Sequence, residues 1–175
     1  MTASVRKILL VTGARSLCDA RCTIVALSRV WVLDHLRLHL ESYNPALDLV
    51  VAGDAVGPDR WALELARERK LTFARWRLDG VVEKRLSNGD VQRRRFAETA
   101  VHPLDRNAAM ARWCGERSTL GDKVSTLAFF HSESKTHGTH QTVSQVWKYC
   151  LPVQEFTYTS CIVTGKHFVT GKLRD

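Results

Sequence analysis

The sequence predicts an α/β fold: an open, doubly wound, mainly parallel sheet with helices on both faces. Two observations predict it. Short apolar runs rich in β-branched residues alternate along the chain with longer segments of helical periodicity. The runs are also apolar throughout rather than on every second residue, as expected of parallel strands covered on both faces. A length of 175 residues suits one domain, and 45% apolar against 25% charged residues excludes wholesale disorder.

The elements follow in order. Val5 to Thr12 reads as a strand closed by Gly13. Ala20 to Tyr43 reads as a long helix, with Ile24, Leu27, Trp31, Leu36, Leu38 and Leu40 near helical spacing and Asn44-Pro45 as its stop. Leu47 to Ala52 is a second strand, closed by Gly53. Pro58 to Arg69 is a helix, and Leu71 to Leu78 an alternating third strand. Asp105 reads as the cap of a helix starting near Arg106. Ser125 to Phe130 is a fourth strand, Thr139 to Tyr149 a helix, and Val153 to Tyr158 a fifth strand after Pro152.

Two segments stand outside this alternation. Residues 79–103 carry Asn88-Gly89, a two-residue hairpin signal between VVEKRL and DVQRRRF, and read as an inserted basic loop or hairpin. Residues 160–175 contain VTGK twice and read as a C-terminal tail, leaving residues 1–159 as the domain.

In open parallel sheets, ligands sit in the crevice at the carboxyl ends of the strands, so the residues after each strand carry the functional expectation. After the first strand stand Thr12, Gly13 and Arg15: a tight turn and a fork of donors for a phosphate or carboxylate. After the second, Gly53, Asp54, Gly57 and Asp59 bracket a helix whose Pro58 suits its first turn. The free N–H groups of such a start form an anion site, and Asp59 is placed to cap the helix or hold a ribose hydroxyl. Arg106 and Asn107 fall at the start of the next helix. After the fourth strand, Ser132 and Ser134 lead through a hydroxyl-rich loop to Gly138 and Thr139, again at a helix amino end. Neither GxGxxG nor a Walker loop occurs.

These motifs in this order resemble the SLOG superfamily, which includes the lonely-guy cytokinin-activating phosphoribohydrolases, the Rossmann domain of the DNA-uptake protein DprA, and YspA-like proteins. The nearest pattern is the YspA-like one. It runs from a strand ending in TGxR, here Thr12-Gly13-Ala14-Arg15, to GDAxGxD at Gly53 to Asp59. It then continues through RNxxM at Arg106 to Met110 to a closing GT at Gly138-Thr139. The resemblance spans residues 5–158. It implies a nucleotide or nucleotide-derived ligand, held either by a sensor or by an enzyme that releases a base from a ribose phosphate. The hydrolases carry PGGxGTxxE, whose Glu acts on the ribose. Here that position is Thr142, and a sugar cation is left without its stabilising carboxylate.

Three functions follow as expectations. The first is binding or sensing of a nucleotide-like molecule, with no cofactor. The second is hydrolysis of an N-glycosidic bond, with Asp54, Asp59 and Glu133 as the catalytic carboxylates and His131, His137 or His140 as acid or base. The third is single-stranded nucleic-acid binding. Lys and Arg number 26 against 18 Asp and Glu, a formal charge of +8, and much of that excess lies between Arg67 and Arg95, where Trp76 and Phe96 are available to stack on bases. The helix through Val25, Val30, Trp31, Val32 and Leu33 is apolar on more than one stripe, which suits a homo-oligomer.

No apolar run approaches the roughly 18 residues of a membrane span, and Ile8 to Val11 is shorter than a secretory core of about 7 to 15 residues. A cytoplasmic protein without a membrane partner is expected. The five cysteines are then expected as free thiols, since Cys18 and Cys22 alone make a poor zinc site.

Overall fold

β1 (Lys7–Gly13) is the centre of the sheet, and Ile8, Leu9, Leu10 and Val11 are wholly buried along it. Each such side chain contributes about 1.5–3 kcal/mol by leaving water. In a strand, successive side chains point to opposite faces, so a run buried at every position needs cover on both. The cover is visible in two core clusters. Leu9 and Val11 join α1 (Val25–Leu40) and α2 (Pro58–Glu68), through Val32, Leu36, Trp61 and Leu65. Ile8 and Leu10 join α3 (Pro103–Thr119) and α4 (His137–Trp147), through Met110, Cys114, Val143 and Val146. The architecture is a computed structural model describing residues 5–18, 25–132, 137–160 and 167–174.

The remaining strands are β2 (Leu49–Gly53), β3 (Thr72–Trp76), β4 (Val81–Arg85), β5 (Val91–Arg95), β6 (Lys123–His131), β7 (Val153–Ser160) and β8 (His167–Arg174). They form one 8-stranded sheet in the order β5-β4-β3-β2-β1-β6-β7-β8. The pairs β1–β2, β2–β3, β1–β6 and β6–β7 are parallel. The outer pairs β3–β4, β4–β5 and β7–β8 are antiparallel. A mostly parallel sheet with these helices is α/β and consistent with a Rossmann-like fold.

Several boundaries differ from the sequence reading. α3 begins at Pro103, not near Arg106. His102 is the cap, its Nδ1 accepting from Leu104 N at 3.3 Å, and Asp105 lies inside the first turn. Proline at the first helical position needs no N–H partner, which makes Pro103 the natural start. Residues 79–103 contain the hairpin β4–β5, joined to the sheet beside β3. Its turn is one residue longer than Asn-Gly alone requires. Leu86 N donates to Asp90 O at 2.8 Å and Gly89 N to Leu86 O at 2.9 Å, with Gly89 at φ 95. That is a three-residue connection ending in a left-handed glycine. Residues 167–174, expected in a tail, pair with β7 from Val153↔Arg174 to Ser160↔His167. The first VTGK lies outside the described residues, as do residues 20–24 at the expected start of α1.

On α1, Leu27, Val30 and Leu38 are exposed, while Trp31 turns inward and meets Phe129 and Tyr158 edge-on or tilted at 5.6 and 5.3 Å. Among the described residues no helix is long and apolar enough to cross a membrane. Cys18, Cys114 and Cys150 are free thiols; Cys22 and Cys161 lie outside the described residues.

Candidate functional site

At the carboxyl ends of β1 and β6, the strands and the first turns of three helices surround a cleft of about 460 Å³. Thr12, Gly13 and Arg15 come from the end of β1 and the turn after it. Asp59 comes from the first turn of α2, Arg106 and Asn107 from α3, and Gly138 and Thr139 from α4. Each helix start turns the positive end of its dipole toward the cleft. At α3 the first amides are already used, since Pro103 has none and Leu104 N donates to His102 Nδ1, so the amides left to favour an anion are those of α2 and α4. Arg15, exposed at the rim, adds a guanidinium that also acts on Asp59.

The site is held by a chain of buried polar contacts. Arg106 is 2% exposed. Its Nη1 donates to Asp54 Oδ1 at 2.7 Å and to Trp76 O at 3.1 Å, and its Nε donates to Asn107 Oδ1 at 2.8 Å. Asn107 Nδ2 in turn donates to the Gly138 carbonyl at 3.4 Å. Asp54 Oδ2 accepts from Leu78 N at 3.2 Å. The end of β2, the turn before the hairpin, α3 and α4 are therefore tied together through one guanidinium. Gly53 makes the approach possible: a Cβ there would run into the Arg106 guanidinium and come within 2.7 Å of Asp59 Oδ2. Tight packing of this kind is what reserves a position for glycine.

Asp59 is buried on the cleft floor, where its Oδ1 accepts from Gly13 N at 3.2 Å. Burial pushes its carboxyl up to about 6, against the opposing pull of Arg106, the Gly13 and Gly53 amides and Arg15. A carboxyl poised there changes charge just below neutral pH and can accept from a ligand hydroxyl or exchange a proton with it.

The residues read from the sequence divide into four groups. Thr12, Gly13, Arg15, Asp59, Arg106, Asn107, Gly138 and Thr139 line the cleft together, with His137. Gly53 and Asp54 instead line a separate depression with Arg60, Glu64 and Arg75, and Asp54 is committed to Arg106. Gly57 and Ser132 do not line the cleft, and Glu133 and Ser134 lie outside the described residues. His131 and His140 are away from it: His131 is half-buried near Tyr158, and the His140 ring packs on Phe130 at 4.6 Å. Sequence reasoning missed Ala55, Pro103 and Leu104, which add apolar wall. Their signal was positional, since two of them open the helix that carries Arg106.

Thr142 stands where the resemblance would expect the hydrolases' Glu. It is wholly buried, and its Oγ1 donates to the Gly138 carbonyl one turn back at 2.9 Å. Among the described residues no group of His, Cys, Asp and Glu side chains is placed to hold a metal ion. No protein-family model matches the chain, and no curated protein is significantly similar to it.

Proposed function

We propose that this chain binds a nucleotide or nucleotide-derived ligand in the cleft, as a sensor or binding module, on a doubly wound Rossmann-like domain of SLOG type. The observation that carries this reading is the convergence of three helix amino ends and Arg15 on one cleft at the strand carboxyl ends. In this reading the phosphate sits against the amides of Gly138 and Thr139, with Arg15 at the rim. Asp59 receives a ribose hydroxyl or a base N–H, and Leu104 with Pro103 covers an apolar face. The ordered TGxR, GDAxGxD, RNxxM and GT motifs support it independently of the geometry.

Binding is favoured over cleavage of the N-glycosidic bond. Asp59 is the carboxylate that lines the cleft among the described residues, and burial keeps it less charged than a group that must stabilise a sugar cation. The Thr142 hydroxyl, engaged with Gly138, offers no substitute.

The test is mass spectrometry of small molecules released on denaturing the purified protein, with Arg15→Ala and Thr139→Val alongside. A nucleotide-like compound in the wild type, lost in both variants, is expected. A free base or a ribose phosphate would favour the hydrolase instead, and a compound retained equally in both variants would remove the cleft as its site. The same reading expects self-association through α1, where Leu27 and Val30 are exposed. Sedimentation of Val30→Glu should give the monomer; an unchanged sedimentation coefficient would exclude that face.

A further inference from the structure

The basic stretch from Arg67 to Arg95 does not form one patch. Along β4 and β5 it alternates between the two faces of the sheet edge. On one face Glu83 gathers Arg75 at 3.0 Å, Arg93 at 3.0 Å and Arg77 at 3.9 Å. The opposite face is different. There Lys84 and Arg94 approach Arg6 and Arg117 around a pocket of about 410 Å³ that Trp76 and Trp113 also line. No carboxylate lines it among the described residues. Asp122, beside it, is already taken by Arg6 at 2.5 Å and Arg117 at 2.6 Å.

Three features set this pocket apart from an ordinary solvated basic face. Lys84 makes no side-chain hydrogen bond or ion pair among the described residues, yet it is half-buried in this cluster of like charge. Burial, with Arg6, Arg94 and Arg117 adding to it, holds its amine below the ordinary lysine value. Second, Arg94 is exposed beside it and, like Lys84, has no carboxylate partner among the described residues. Third, the aromatic surface is arranged with the charge: the Arg94 guanidinium lies 5.9 Å from the Trp113 ring, and Trp113 lies 6.2 Å from Trp76. Trp76 is itself 2% exposed and packs on Phe96 at 4.8 Å. Trp76 and Phe96, the stacking pair expected from the sequence, are therefore occupied with each other. The half-buried Trp113, on α3, is the ring left with accessible surface.

We propose that this pocket is a second binding site, distinct from the cleft, that takes one nucleotide unit with its phosphate among Lys84, Arg94 and Arg117 and its base against Trp113. Cations without a carboxylate partner call for an anion rich in oxygen, and a tryptophan face beside them calls for a planar ring. The volume suits one such unit. The unit has two sources, a free nucleotide or a single strand. The site does not depend on the cleft being a nucleotide site, because it shares no residue with it.

The test uses two probes on the full chain: dTMP by calorimetry, and fluorescein-labelled (dT)10 by anisotropy. On the Arg15→Ala background, which the proposed function expects to empty the cleft of nucleotide, at least one should bind and weaken about tenfold on adding Lys84→Gln or Arg94→Gln. That background separates this site from the cleft. For (dT)10, the slope of log affinity against log salt should fall by about 1 in Lys84→Gln. Similar affinities for both probes identify a free nucleotide as the occupant, and much tighter binding of (dT)10 identifies a single strand. Binding of neither probe, or binding indifferent to both substitutions, overturns the proposal. So does inorganic phosphate that displaces dTMP at equal concentration, since the base would then contribute nothing. Lys84→Gln should melt no lower than the wild type, as it removes no ion pair. If it fails to fold, dTMP quenching of wild-type tryptophan emission decides, and absence of quenching overturns the site.

Discussion

Arg106 is the residue on which the cleft depends, and its role is positional. A buried guanidinium with three fixed acceptors orders the groups around it while having little freedom to follow a ligand. Arg106→Ala should lower stability by about 2–4 kcal/mol in urea denaturation, because Asp54, Trp76 O and Asn107 lose a shared donor. Arg106→Lys should recover little of this, since one ammonium cannot reproduce the planar fork. Full stability in Arg106→Ala would refute the role.

Asp59 makes a second prediction at this scale. Its carboxyl titrates at 3.8 in the unfolded reference and at about 6 in the fold. A raised folded pKa means that the protonated form favours folding. Its contribution is complete below about pH 4 and is lost as pH rises through about 6, a swing of about 3 kcal/mol. Asp59→Asn removes that loss. The stability of Asp59→Asn relative to wild type should therefore climb between pH 4 and pH 7, and a difference independent of pH would contradict the buried position. The sequence pointed to Asp59 from its spacing after two glycines. Nothing local told that it would be buried under Gly13 and Gly53, because that depends on a strand and a helix distant in the chain.

Among the elements, the strands were the most legible. Runs such as ILLV and LVVA are apolar at every position, and only a strand covered on both faces uses such a run fully. Helix starts were less so. Asp105 carries a good capping side chain, but the His102-Pro103 pair begins the helix earlier. The strand β8 was not legible, since HFVTGKLR carries no clear alternation and its place is set by pairing with β7. The hairpin was recognisable from Asn88-Gly89, while the division of its charge between two faces needed the register.

That division gives a test of the hairpin. Burial alone would raise the Glu83 carboxyl, but Arg93, Arg75 and Arg77 hold it below its ordinary value. Its side chain is 15% exposed, but Arg93 is 66% exposed and Arg75 40%, so screening reduces the gain. Glu83→Gln should cost about 1 kcal/mol at low salt, shrinking in 1 M salt to near nothing. A cost that is the same at both salt concentrations would show that packing, not charge, holds the hairpin.

At the scale of the whole molecule, the net charge is +8, and two places draw anions by different means. The cleft attracts an anion mainly through backbone amides at helix starts, with Arg15 at its rim. The hairpin pocket relies on side-chain cations crowded without enough acids. The two should respond differently to salt: weakly in the cleft, where amides dominate, and steeply in the pocket, if its occupant is a strand. Overall charge alone did not distinguish them, because composition carries no information about which cations meet and which are neutralised.

The most direct test of the cleft is an amide NMR titration of the labelled protein with a panel of 5′-nucleotides. Shifts clustered on Gly13, Ala14, Arg15, Gly138 and Thr139, and reduced in Thr139→Val, are expected. Saturating nucleotide that leaves those amides unmoved, or that moves only residues 82–94 and Trp113, would contradict nucleotide binding in the cleft.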